Sequence, residues 1–155
     1  MRLRVVAAGT RLPAWIQQGY EEYAGRIRGE FTLELVEVAL GQRRGTDAAR
    51  AVRQEGERMQ AALGGRPYLV ALQVAGRPLT TAALAEFLAA RLLEGRDVAF
   101  CIGGPDGLDA SIDALADLRW SISSLTLPHG LVRVIVAEAL YRAVTVYRGH
   151  PYHRG

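Results

Sequence analysis

The chain has 155 residues, 50% of them apolar and 23% charged, a balance that excludes a disordered polypeptide and suits one domain, residues 1–155. Its single cysteine excludes an intramolecular disulfide framework and a cysteine-based zinc cluster. The formal net charge is +3 and every one of the basic side chains is arginine, an excess that permits nucleic-acid binding without demanding it.

Strand and helix patterns alternate along the chain, which argues an α/β fold with a mostly parallel sheet flanked by helices. The opening MRLRVVAAGTRLP carries too short an apolar stretch for a signal peptide, and no run approaches the roughly 18 apolar residues of a membrane span. A soluble, cytoplasmic protein is expected. Leu3 to Ala8 reads as the first strand, closed by Gly9. Pro13 opens a helix with Trp15, Ile16, Gly19, Tyr20 and Tyr23 on one face. Phe31 to Val38 alternates as a second strand, and Gly41 to Gly45 is a basic loop. Thr46 or Asp47 caps a helix to about Leu63 with a stripe of Val52, Gly56, Met59 and Leu63. Tyr68 to Val74 is a third strand, and Thr80 or Thr81 caps a helix that stops at Gly95. Val98 to Ile102 is a fourth strand, followed at once by Gly-Gly-Pro-Asp-Gly. A short helix around Asp109 to Leu118 leads to a fifth apolar segment near Trp120 to Leu127, then a helix from about Leu131 to Val146 and a polar tail. That last helix is apolar around most of its circumference. It needs partners on most sides, supplied either by a second subunit or by burial at the centre of one chain.

Three segments fall at the carboxyl ends of strands, where open α/β sheets bind ligands: Leu72 to Gly76, Ile102 to Gly107 and Ile122 to His129. They make neither a phosphate loop, since no lysine follows, nor a Gly-x-Gly-x-x-Gly after the first strand. The histidines His129, His150 and His153 lack zinc-motif spacing, so no metal is expected. No Gly-x-Ser-x-Gly elbow marks a hydrolase, and Ser121, Ser123 and Ser124 lie in a strand-like run. Cys101 falls in a buried strand pattern and reads as packing. Glu138 and Arg142, four apart, read as a helix-surface ion pair. Arg43, Arg44, Arg50 and Arg53 form a basic stretch, a solvated face or a phosphate contact.

The sequence resembles the RlmH branch of the SPOUT methyltransferases, the large-subunit ribosomal RNA pseudouridine N3-methyltransferases, over its full length. The resemblance is carried by the opening Val-Ala-Ala-Gly-Thr, by Gln54-Glu55-Gly56-Glu57, and by Leu72 with Gly76-Arg77-Pro78. The more specific stretches are Phe100 to Leu108, Leu125 to His129, Leu131 to Val134 and Glu138 to Ala143, with the terminal His150-Pro151-Tyr152-His153-Arg154. It implies a trefoil knot in the C-terminal half, an exception to the rule against threaded chains. It also implies a homodimer and S-adenosylmethionine held by Leu72, Gly103, Gly104, Ile122, Ser123, Ser124, Leu125, Thr126 and Leu127. Gln73 stands where many relatives have an acidic residue.

The reaction so implied methylates N3 of a pseudouridine in 23S rRNA on the assembled ribosome. His129 or His153 would assist proton removal, Arg142 would stabilise charge or hold a phosphate, and Tyr152 would orient the target base. One subunit's tail would complete the other's site, and Arg2, Arg4, Arg11, Arg43 and Arg44 would touch rRNA phosphates. The rival expectation is a non-catalytic rRNA-binding assembly factor on the same scaffold.

Overall fold

The computed structural model describes all residues except Arg44, Thr46 and Gly155. The expected phosphate contact of Arg44 and the alternative cap at Thr46 therefore lie outside the described residues. Five strands, β1 (Arg2–Ala8), β2 (Thr32–Val38), β3 (Tyr68–Pro78), β4 (Val98–Ile102) and β5 (Leu118–Ser121), form one sheet in the order β2-β1-β4-β3-β5. Every pairing is parallel.

Buried strands alternate their side chains between two apolar layers, as a period of two requires. On one face Leu3, Val5, Ala7, Val70, Phe100 and Ile102 pack against α1 (Ala14–Ala24), α3 (Thr81–Glu94) and α5 (His129–Arg148). On the other, Val6, Ala8, Leu69, Ala71, Ala99 and Cys101 meet α2 (Ala48–Ala62) and α4 (Ala110–Leu115). Cys101 is fully buried and its thiol pKa is pushed up to about 12 by desolvation, so it is packing, as its strand pattern says.

Four local expectations are corrected. Trp15 is 59% exposed, because the buried face of α1 runs through Ile16 and Tyr20 and a neighbour in sequence stands about 100° away. The buried face of α2 includes Glu55 beside Ala51, Gly56 and Met59, so a carboxylate occupies a stripe read as apolar. β3 continues past Val74 to Pro78, with a bulge: Leu72 and Arg77 both pair with Trp120, and Gln73–Gly76 loop outward between them. The fifth segment is a strand only from Leu118 to Ser121. Beyond it, Ser121 Oγ donates to the Ser123 carbonyl at 2.9 Å, and the Ser123 hydroxyl accepts from the Leu125 amide at 2.9 Å. Serine side chains thus take up backbone groups that a sheet ladder would have used.

Helix α5 starts two residues earlier than its apolar pattern suggests, at His129 directly after Pro128. Its anchor is Arg133, 2% exposed. The Arg133 Nη1 donates to Glu37 at 2.6 Å, and Nη2 donates to the Gly9 carbonyl at 2.8 Å and the Ala8 carbonyl at 3.3 Å. The guanidinium therefore ties the start of α5 to the carboxyl ends of β1 and β2. Within the chain α5 packs against α1, α3 and the sheet, while Leu131, Ile135 and Ala139 remain half-buried. A charged group removed from water must keep its hydrogen bonds. Arg133→Ala is expected to lower unfolding stability in urea by about 2–3 kcal/mol, less than a fully buried pair would lose because Glu37 can reach water. Glu37→Gln should cost about 1 kcal/mol in the same measurement.

Candidate active site

From β5, at one edge of the sheet, residues 122–128 run across the carboxyl ends of β3 and β4 to reach the start of α5 beside β1. Three loops meet under that traverse and enclose a cleft of about 560 Å³, within the roughly 300–1,000 Å³ usual for small-molecule sites. Leu72, Gly103, Gly104, Ile122, Ser123, Leu125, Thr126 and Leu127 all line it, and so does His129. Ser124 is exposed and stands outside the lining. Gln73, Val74, Ile102, Pro105, Gly107 and Pro128, from the three segments marked in the sequence, line it too, and the residues that sequence reasoning passed over are Leu108, Trp120 and Val132.

Glycine is required where the backbone itself closes in. A Cβ on Gly103 would come within 2.4 Å of the Gly107 carbonyl carbon, so the turn after β4 closes on itself only with hydrogen at that position. The turn is completed by the Gly107 amide donating to the Gly104 carbonyl at 3.1 Å. Gln73 donates its side-chain amide to Asp113 at 3.3 Å, and Arg119 Nε donates to the same Asp113 oxygen at 2.9 Å. A neutral side chain is suited to that place, because Asp113 already supplies the negative charge.

Among the described residues no arginine, aspartate or glutamate lines the cleft, in a chain rich in all three. The walls are instead apolar, with backbone groups of the loops at their edges. They suit the flat, apolar faces of a nucleoside. Nor do three His, Cys, Asp or Glu side chains come together as a metal site among the described residues.

His129 is the cleft's titratable group. Burial lowers its pKa from the ordinary 6.5, and the neighbouring Arg133 charge lowers it further; a hydrogen bond to the Ala8 carbonyl and the Glu55 charge only partly oppose this. The imidazole is therefore neutral at pH 7, and its buried Nδ1 has no hydrogen-bond partner.

The other expected reaction residues lie elsewhere on the chain. Thirteen residues of α5 separate His129 from Arg142, roughly 20 Å at 1.5 Å per residue. Arg142 donates from Nε and Nη2 to Glu138 Oε1 at 2.9 and 2.6 Å, the ion pair expected from the spacing. The Tyr152 hydroxyl, on the short 3-10 turn Pro151–Arg154, donates to the same oxygen at 3.2 Å. The Tyr152 ring lies 4.6 Å from that of Tyr141 and 5.0 Å from the Arg142 guanidinium carbon. Desolvation and the Glu138 charge raise the Tyr152 pKa, so it acts as a phenol and not as a base. His153 is half-buried in the same tail, with Nδ1 unpartnered. Within one protomer, then, the cleft holds His129, and the tail cluster holds Arg142, Tyr152 and His153.

Of the arginines expected on phosphates, Arg4 is corrected: it is buried and donates to the Leu63 carbonyl at 2.6 Å. Arg2 pairs with Asp97, and Arg43 bridges Glu55 and Asp106. Arg11 is exposed.

Over residues 1–153 the chain matches a family model described as "Predicted SPOUT methyltransferase". It is 50% identical to the ribosomal RNA large subunit methyltransferase H of Pseudomonas fluorescens, over 99% of this chain and all of that protein. The proteins of the same name from Alkalilimnicola ehrlichii and Methylococcus capsulatus are 52% and 51% identical, over 99% of this chain and 99% and 100% of theirs. A solved structure described as a probable methylase family protein from Haemophilus influenzae shares the fold. Its TM-score is 0.60 at 13% identity, over 97% of this chain and 69% of that one. The all-parallel sheet, the cleft at its carboxyl edge and the full-length matches agree: the chain belongs to the SPOUT methyltransferases, in the branch of the ribosomal RNA large subunit methyltransferase H proteins.

Proposed function

We propose that this protein transfers a methyl group from S-adenosylmethionine to N3 of a pseudouridine in the 23S rRNA of the assembled ribosome. The observation that carries the reading is the uncharged, apolar cleft made by three loops at the carboxyl ends of β3, β4 and β5. Leu72, Gly103, Gly104 and the run Ile122 to Leu127 would hold the donor, which supplies an electrophilic sulfonium methyl when bound. Leu72, Leu125 and Leu127 offer apolar surface to an adenine ring, while Gln73 and Thr126 bring an amide and a hydroxyl to the same wall.

The N3–H of a pseudouridine is weakly acidic, so the nitrogen needs a base as its lone pair forms the new bond to carbon. His129, neutral at pH 7 and on the cleft wall, takes that proton on a ring nitrogen. Arg142 is about 20 Å away along α5, with the Tyr152 ring packed on its guanidinium, and both serve this reaction from the second protomer of a two-fold dimer. The half-buried apolar stripe of Leu131, Ile135 and Ala139 on α5 supports such pairing. There the Tyr152 ring stacks on the target base and Arg142 offsets the charge left when the proton goes. The knot implied by the resemblance has residues 122–128 as its threaded segment, consistent with their passage across the ends of β3 and β4. No helix among the described residues is long and apolar enough to cross a membrane, and we assign the protein's work to cytoplasmic ribosomes.

Donor binding and methyl transfer test this. Calorimetry should detect S-adenosylmethionine binding, and labelled methyl groups should pass to 23S rRNA of ribosomes lacking the modification. Binding without transfer to any RNA would instead favour a non-catalytic assembly factor. Trp120 lines the cleft while Trp15 is exposed, so in Trp15→Phe the emission of the remaining tryptophan should change as the donor saturates. His129→Gln should lower kcat by about a hundredfold, the ordinary contribution of a general base. Because burial lowers the His129 pKa, the wild-type rate should be level at pH 7 and fall only below 6.5 as the imidazole gains a proton. Removal of residues 152–154 should reduce transfer by about a hundredfold while leaving donor affinity unchanged.

A further inference from the structure

The turn that forms one wall of the donor cleft is gripped from the far side by charges that take no part in proton or methyl transfer. Glu55, on α2, is 2% exposed. Its Oε2 accepts from the Gly41 amide at 3.0 Å and from Arg43 Nη1 at 2.8 Å. The same guanidinium donates from Nε to Asp106 at 2.7 Å. Asp106 lies inside the turn that the Gly107 amide closes on the Gly104 carbonyl, and the turn's Gly103, Gly104 and Gly107 line the cleft. Arginine suits the link, since a planar fork can serve two carboxylates at once where an ammonium is a single point charge.

A second contact comes from the other carboxylate oxygen. Glu55 Oε1 is buried without a hydrogen-bond partner, and a Cβ added to Gly104 would stand 3.2 Å from it. The carboxylate thus abuts the glycine pair. A buried carboxylate in a helix stripe contributes little net stability compared with a packed hydrocarbon side chain. Its geometry here relates α2 to the cleft wall.

We infer that Glu55, Arg43 and Asp106 are positioning residues that hold the Gly103–Gly107 turn in its donor-binding shape. This rests on the reading of the cleft as the methyl-donor site. The chain of contacts runs from the α2 carboxylate through one guanidinium to the turn, so cutting it at the exposed end loosens the turn while leaving the buried core intact. Asp106 is that end, its side chain 43% exposed.

The test is calorimetric titration of the full chain with S-adenosylmethionine, paired with urea unfolding of each variant. Asp106→Asn should unfold at the wild-type urea concentration yet bind the donor about tenfold more weakly, the size of one lost charge-assisted hydrogen bond. Arg43→Lys should weaken binding similarly, and the double variant should be no worse than either single one, since all three break the same link. Asp106→Glu should restore affinity to within about twofold of wild type. Wild-type affinity in both Asp106→Asn and Arg43→Lys would overturn the inference. So would a Glu55→Gln variant in which only the urea midpoint moves. A wild-type chain that binds no donor would overturn the reading of the cleft, and the inference with it, a result distinct from either of those.

Discussion

The buried guanidinium of Arg133 decides where the last third of the chain must go. By holding the carbonyls of Ala8 and Gly9 together with Glu37, it fixes the start of α5 at the carboxyl end of β1. The preceding strand, β5, lies three positions away, beyond β4 and β3. Residues 122–128 have no course other than over the ends of those two strands. Loops that end β3 and β4 are then roofed by a third segment, and a concave, largely apolar site results from connectivity alone. The same anchor places His129 one turn before Arg133, on the cleft wall, where burial and then the nearby positive charge keep its imidazole neutral.

Charge is distributed in this molecule by exclusion as much as by attraction. Arg4, Arg43, Arg133 and Arg142 are each committed to carbonyls or carboxylates of their own chain, and among the described residues no arginine, aspartate or glutamate lines the cleft. Such a surface discriminates by shape and by backbone hydrogen bonding, the uncapped start of α5 included.

Much of this was legible in the amino-acid order. Five strand-like runs separated by helical ones give the α/β class, and glycine-bearing strand ends mark the three loops, because both signals depend on local periodicity and local backbone freedom. What failed to show depended on contacts between distant segments. Nothing local tells that Glu55 faces inward, since helical spacing alone treats a carboxylate as a solvent-facing residue. The bulge at Gln73–Gly76 is likewise invisible, for it depends on Trp120 pairing twice. Reading Ser121, Ser123 and Ser124 as strand-like overlooked the capacity of Ser121 and Ser123 to bond their own backbone. Trp15 was assigned inward on hydrophobicity, while the packing of α1 is set by Ile16 and Tyr20. The separation of His129 from Arg142 was hidden for a different reason: both sit on one long helix, and only its full extent from His129 to Arg148, with Tyr152 folded back on Arg142 beyond it, reveals the distance.

The double pairing of Trp120 also carries an evolutionary consequence. Both margins of the Gln73–Gly76 excursion are stitched to one residue of β5, so its length is decoupled from the register of the sheet. Residues inserted or deleted there would reshape the rim above the cleft while every strand kept its neighbours. Ligand preference at that rim can therefore drift over generations with no penalty to the foldability of the sheet beneath it.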